Sequence, residues 1–189
     1  MVCKGFHKYK NIFRRVGVVL ALSLLLLGTK TALAQPFGVG VFDANVPFGA
    51  QTSLSIATGG NVTIQITPSG TSTLGTGSNA VTITSTDVVG YKLYLRALSS
   101  TNLTNGTATI PASGNVSPAA LSVNTWGYNT NGTTSFSGVT ATDALIKSAT
   151  GPFSSGDTTT FTYGVKIDNS QPSGSYVTTV VYTAVPQTT

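Results

Sequence analysis

Thr158-Thr-Thr-Phe-Thr-Tyr-Gly-Val-Lys-Ile167 decides the fold class. Phe161, Tyr163, Val165 and Ile167 stand at every second position, with Thr160, Thr162 and Lys166 between them. A period of two puts the apolar set on one face of a β-strand and the polar set on the other, the half-wet pattern of an antiparallel sheet. Working outward, the same alternation recurs in Asn61-Val-Thr-Ile-Gln-Ile-Thr67, Ala80-Val-Thr-Ile-Thr84 and Gly90-Tyr-Lys-Leu-Tyr-Leu-Arg-Ala-Leu98. It closes the chain in Ser175-Tyr-Val-Thr-Thr-Val-Val-Tyr-Thr-Ala-Val185, where Val180-Val181 is apolar on both faces. Residues 38–42, 53–57, 107–110 and 121–128 repeat it more weakly.

Turn chemistry separates these runs. Pro68-Ser-Gly70, Pro111-Ala-Ser-Gly114, Asn131-Gly132 and Pro172-Ser-Gly174 read as tight reversals, because Pro presets φ and Gly tolerates the left-handed region. Gly75-Thr-Gly-Ser-Asn-Ala80 matches the G-x-G-x-x-A nucleotide string, but a strand-like run follows it where that mechanism needs a helix, so it reads as a hairpin loop. Residues 141–147 are the one stretch with the character of a helical turn. The whole pattern predicts an all-β fold, an antiparallel two-sheet β-sandwich with Ig-like Greek-key links and about eight or nine short strands.

Residues 1–34 carry the parts of an export signal. A basic stretch from Lys4 to Arg15 precedes an apolar run from Val16 to Leu27, and Ala32-Leu-Ala34 supplies small residues for cleavage. Lys30 closes the apolar run well short of the roughly 20 residues a spanning helix needs. The reading is a signal peptide cut after Ala34, then residues 35–50 as an extension or first strand, then a sandwich over 51–189. The protein is expected to be secreted or at the cell surface, with no membrane span left after cleavage.

The charge follows the same division. The chain has ten Lys or Arg, five Asp and a formal net charge of +5. Six of the ten positive charges precede residue 35, leaving Lys92, Arg96, Lys147 and Lys166 against Asp43, Asp87, Asp143, Asp157 and Asp168. A slightly acidic remainder has no electrostatic pull on nucleic acid, so no nucleic-acid partner is expected. Thr and Ser make up 49 of the last 155 residues. β-branched Thr suits the wet face of a strand.

Chemistry is excluded on the same grounds. His7 and Cys3 lie in the leader and the chain has no Glu. Zinc and iron lack their usual ligands, a Ser-His-Asp triad lacks its base, and the five Asp form no calcium-type loop. Lys147-Ser148 fails as a dyad because adjacent residues in a strand point to opposite faces. No metal, no cofactor and no enzymatic activity are expected.

Two stretches have binding character. In Asn124-Thr-Trp-Gly-Tyr-Asn129, Trp126 and Tyr128 share a strand face, either as core anchors or as a stacking platform for sugar rings flanked by Asn124 and Asn129. In Phe37-Gly-Val-Gly-Val-Phe42, Phe37, Val39 and Val41 form one apolar face opposite Gly38 and Gly40. That strand either opens its own sandwich or adds to a neighbour's sheet, as fimbrial subunits do. Sequons at Asn61, Asn102, Asn105, Asn115 and Asn131 matter only in a cell with the transferase.

Gly90-Tyr-Lys-Leu93 and the closing Pro172-Ser-Gly-Ser-Tyr176 with Val181-Tyr-Thr-Ala184 resemble the two landmark segments of WxL-type bacterial surface domains, in order, over roughly residues 60–185. Where that family carries Trp, this chain has Tyr91 and Tyr182, and Ala184 stands in place of the final Leu. The resemblance implies non-covalent attachment to the cell wall, with a wall or surface glycan as partner. The expectation is therefore a non-catalytic structural or adhesive protein of the cell surface. A carbohydrate-binding module and a self-associating, fimbrial-type subunit are the alternatives.

Overall fold

The computed structural model describes residues 52–188, and every regular element among them is a strand. In chain order these are β1 (Ser53–Thr58), β2 (Thr73–Thr86), β3 (Gly90–Ala97), β4 (Leu103–Thr104), β5 (Thr109–Ile110), β6 (Thr125–Asn129), β7 (Ala144–Thr150), β8 (Phe153–Ile167) and β9 (Val180–Gln187). The leader and residues 37–42 lie outside the described residues.

The strands form two principal antiparallel sheets, ordered β1-β2-β8-β6 and β7-β3-β9, with a small β4-β5 pair beside them. The fold is an all-β sandwich. Apart from β1 and β2, neighbouring strands in the two principal sheets are not consecutive in sequence, so the chain crosses repeatedly between the layers. The long β2–β8 ladder, from Thr73 opposite Ile167 to Ser85 opposite Phe153, is the spine of the larger sheet. Its inward side chains Val81, Ile83, Phe161, Tyr163 and Val165 meet Tyr91, Leu93, Leu95 and Ala97 of β3, all buried.

The opening alternation holds along β8, but four expectations need correction. Residues 61–67 join no ladder among the described residues. They are extended, with Val62, Ile64 and Ile66 turned toward the core, and they lie across the inner face of β2. The reason is in β2 itself, because the supposed hairpin loop is the first half of that strand. An added Cβ on Gly77 would lie 2.7 Å from Val62, and one on Gly75 would meet Ile64 and Ile66. The bare glycine backbone is the seat for these three side chains, a use of strand glycine for close approach. Burying such a side chain fully is worth about 1.5–3 kcal/mol, so even partial burial of the three favours this placement.

The helical turn expected at 141–147 is instead the start of β7, which pairs with β3 from Ala144 opposite Leu95 to Thr150 opposite Gly90. Short-range pattern there is weak, and pairing with a central strand decides the conformation. The closing strand also starts later, at Val180 in place of residue 175; before it, Val177 makes only an isolated bridge to Thr104.

Candidate functional site

Trp126, on β6, points inward. It is 3% exposed, its indole N–H donates to the Thr101 carbonyl at 2.8 Å, and its ring lies against Tyr163. Tyr128 shares that face, half-buried, with its ring 6.2 Å from Phe161. Burial raises the Tyr128 pKa. The pair therefore anchors the core, and the solvent-facing sugar platform is corrected: a sugar ring cannot reach the indole while the sandwich is closed.

The flanking amides are committed as well. Asn124 sits at φ 59°, accepts the Asp168 N–H through its side chain at 3.2 Å, and donates to the Asp168 carboxylate and to Ser170. It ties the entry of β6 to the turn after β8. Bonds from Ser170 and Asn124 hold the half-buried Asp168 carboxyl below its usual pKa. Asn129, 3% exposed, donates to the carbonyls of Thr133 and Ser135 and accepts the Gly132 N–H, so it folds the 130–135 loop onto the strand. With both donor hydrogens and one acceptor lone pair engaged, neither amide has a donor left for a ligand.

A polar cluster that the sequence did not single out joins three strands. Tyr91 on β3 donates to Asp157 Oδ2 at 2.7 Å, and Lys147 on β7 donates to Oδ1 at 2.8 Å. Tyr91 is fully buried, and burial, then the bond to Asp157 and its charge, push its pKa well above the ordinary tyrosine value. Burial acts to raise the Asp157 pKa, but the bonds from Lys147 and Tyr91 and the Lys147 charge outweigh it and leave the carboxyl low. No local signal announces this cluster, since its members are far apart in sequence. The arrangement is a closed ion pair; each carboxylate oxygen already has a donor.

Tyr91 and Tyr182 both face the interior. Tyr182 reaches Tyr163 across the sandwich, hydroxyl to hydroxyl at 2.5 Å. The Tyr91 and Tyr182 hydroxyls are satisfied by Asp157 and Tyr163 of the larger sheet. Among the described residues, no group of three His, Cys, Asp or Glu stands close enough to hold a metal ion, and no helix is long and apolar enough to cross a membrane.

What the domain presents to solvent is the outer face of the larger sheet. Thr76, Ser78, Thr82 and Thr84 on β2 lie beside Thr158, Thr160 and Thr162 on β8, with Ser78–Thr162 and Thr82–Thr158 hydroxyl contacts of 3.1 and 2.8 Å. Further along, Phe136 covers the Gly127–Gly164 pair and ends this hydroxyl surface. No family model, no curated protein and no solved structure matches the chain.

Proposed function

We propose that this chain is an exported, non-catalytic structural or adhesive protein of the cell envelope. The observation that carries the reading is the hydroxyl-bearing outer face of the larger sheet, set against an interior whose carboxylates and amides are consumed by the fold. A neutral face of rigidly spaced hydroxyls exerts little long-range steering. It suits short-range hydrogen bonding to a hydroxyl-rich neighbour, such as a wall or surface glycan. The export signal over residues 1–34 and the resemblance of 90–93 and 172–184 to WxL-type landmarks support the same location.

The alternative glycan module built on Trp126 and Tyr128 is not favoured, because those rings are packed inward. Cell fractionation with immunoblotting tests the proposal. The protein is expected in the envelope or wall fraction with its first 34 residues removed. Recovery in the cytosol with that segment attached overturns it.

A further inference from the structure

Asn-Gly occurs twice in the chain, at Asn105-Gly106 and Asn131-Gly132. In such a pair the Gly peptide nitrogen can attack the Asn side-chain carbonyl, because no Cβ on the following residue hinders closure of a five-membered ring. Neither site is crowded. Gly106 and Gly132 have φ of 95° and 67°, and a Cβ on either would meet nothing within 4 Å. Asn131 is exposed and Asn105 half-buried, so exposure alone would rank Asn131 the more reactive. Hydrogen bonding reverses that order.

At Asn131 the nucleophile is held. The Gly132 N–H donates to Asn129 Oδ1 at 3.0 Å. Asn129 is itself fixed, 3% exposed, with its amide hydrogens on the carbonyls of Thr133 and Ser135. The Gly132 nitrogen must break its bond to this buried acceptor before it can turn toward the Asn131 side chain.

At Asn105 the electrophile is held and the nucleophile is unclaimed. Its Oδ1 accepts the Ala108 N–H at 2.7 Å and the Thr107 N–H at 3.2 Å. Reaching those two amides folds the side chain back over the peptide of Gly106. Donors on the carbonyl oxygen also stabilise the negative charge that develops there when the carbon is attacked. No hydrogen bond holds the Gly106 N–H among the described residues.

We infer that Asn105-Gly106 is a spontaneous modification site of the folded protein, and that Asn129 guards Asn131-Gly132 from the same reaction. The Gly106 nitrogen gives its proton to hydroxide and bonds to Asn105 Cγ. Asn105 Nδ2 takes a proton from water and leaves as ammonia, which closes a succinimide. Water then opens the ring at either carbonyl, so the products are aspartate and isoaspartate. One water is consumed and one ammonia released, with nothing oxidised or reduced.

The product changes the end of the domain where β4 and β5 turn. Asn105 Nδ2 abuts the 172–174 turn, where a Cβ on Gly174 would lie 2.9 Å from it. Isoaspartate routes the main chain through the former side chain, so the Oδ1 bonds that shape the 105–108 turn are lost. The neighbouring Thr104 exchanges backbone bonds with Val177, and the loosening is transmitted toward the approach to β9.

The test does not depend on where the protein resides, so its failure leaves the envelope reading standing. The purified protein is incubated at mildly alkaline pH, folded and in guanidinium chloride. Trypsin releases both sites in one peptide, Ala97 to Lys147, because no Lys or Arg lies between its ends. Electron-transfer fragmentation in a mass spectrometer then reads each site, isoaspartate included. Unfolded, the two sites should convert at similar rates. Folded, Asn105 should convert about tenfold or more faster than Asn131, the population factor for opening a hydrogen bond to a buried acceptor. This comparison decides the site without any variant. Equal rates or a faster Asn131 in the folded protein overturn it, as does an Asn105 that stays intact while unfolded chains convert. Asn129→Ala, checked for folding by near-ultraviolet circular dichroism, should bring Asn131 close to the rate of Asn105. Continued protection of Asn131 in that folded variant overturns the guarding role.

Discussion

Tyr163 of β8 and Tyr182 of β9 join the two sheets through their hydroxyls, oxygen to oxygen at 2.5 Å, inside an otherwise apolar contact in which Phe161 lies 4.8 Å from the Tyr182 ring. Removing the Tyr182 hydroxyl leaves that of Tyr163, a buried residue, without its partner, and a buried unsatisfied group costs about 1–3 kcal/mol. Tyr182→Phe is therefore expected to destabilise the domain by about that amount in urea unfolding. Tyr182 keeps Asn79 as a partner, so Tyr163→Phe, which leaves it satisfied, should cost less. The double variant should cost less than the sum, because it leaves no orphaned hydroxyl between the sheets.

This contact also marks the limit of what sequence reading reaches. Strand existence was legible along β8 and β3, where alternation coincides with pairing on both sides. Layer membership was not. Residues 61–67 alternate as cleanly as any strand, but the glycines at 75 and 77 that draw them out of the sheet read as a loop until their neighbours are known. Trp126 posed the converse problem. Its face was legible from spacing with Tyr128, but whether that face meets solvent depends on Tyr163 and Thr101, which periodicity does not place.

The Lys147–Asp157–Tyr91 cluster makes stability pH-dependent at both extremes. Asp157 has a folded pKa below its ordinary value. Its contribution is complete above the unfolded value, near 3.9, and is lost as pH falls through the folded one. Tyr91, Tyr163, Tyr182 and Tyr128 have raised pKa values, all chiefly from burial. Their contribution is complete below about pH 10 and declines above it. Unfolding free energy against pH should thus form a plateau with an acid and an alkaline limb. Asp157→Asn should lower the plateau by about 1–3 kcal/mol and flatten the acid limb. An acid limb of unchanged slope in that variant would remove Asp157 from the account.

Thr159 lies on the inner face of β8, and its Oγ1 is buried without a hydrogen-bond partner among the described residues. Val has nearly the same shape and suits a strand. Thr159→Val should raise stability by about 1–2 kcal/mol by ending the cost of an unpaired hydroxyl, seen as a higher melting temperature in calorimetry. A decrease would show that a water or an unseen partner satisfies the hydroxyl.

Trp126 separates a core role from a binding role. Deleting a buried indole leaves a large cavity, and Trp126→Ala is expected to cost about 3–5 kcal/mol. Trp126→Phe should cost less but more than volume alone, because the Thr101 carbonyl loses its donor. Saturating wall-glycan fragments should leave Trp126 fluorescence unchanged in the folded protein. Quenching or a spectral shift on glycan addition would restore the stacking platform.

Gly164 carries the last prediction, because it explains why the opening stretch is interrupted by a residue that weakens strands. It lies opposite Gly127 on β6, and the ring of Phe136, 0% exposed, rests on the pair. A Cβ added at Gly164 would lie 2.5 Å from the tip of that ring and 2.6 Å from its edge. The backbone there is not left-handed, so Ala is conformationally acceptable and only the ring objects. Phe136 is held by reciprocal backbone bonds to Ala119, and Ser137 by reciprocal bonds to Tyr128, so the ring cannot withdraw without breaking them. Overpacking of this kind typically costs about 1–3 kcal/mol. Gly164→Ala should destabilise the domain by that amount. Phe136→Leu, destabilising alone because it leaves a gap, should recover part of the loss in the Gly164→Ala background. A double-mutant cycle with no coupling would show that the ring is not what the glycine accommodates.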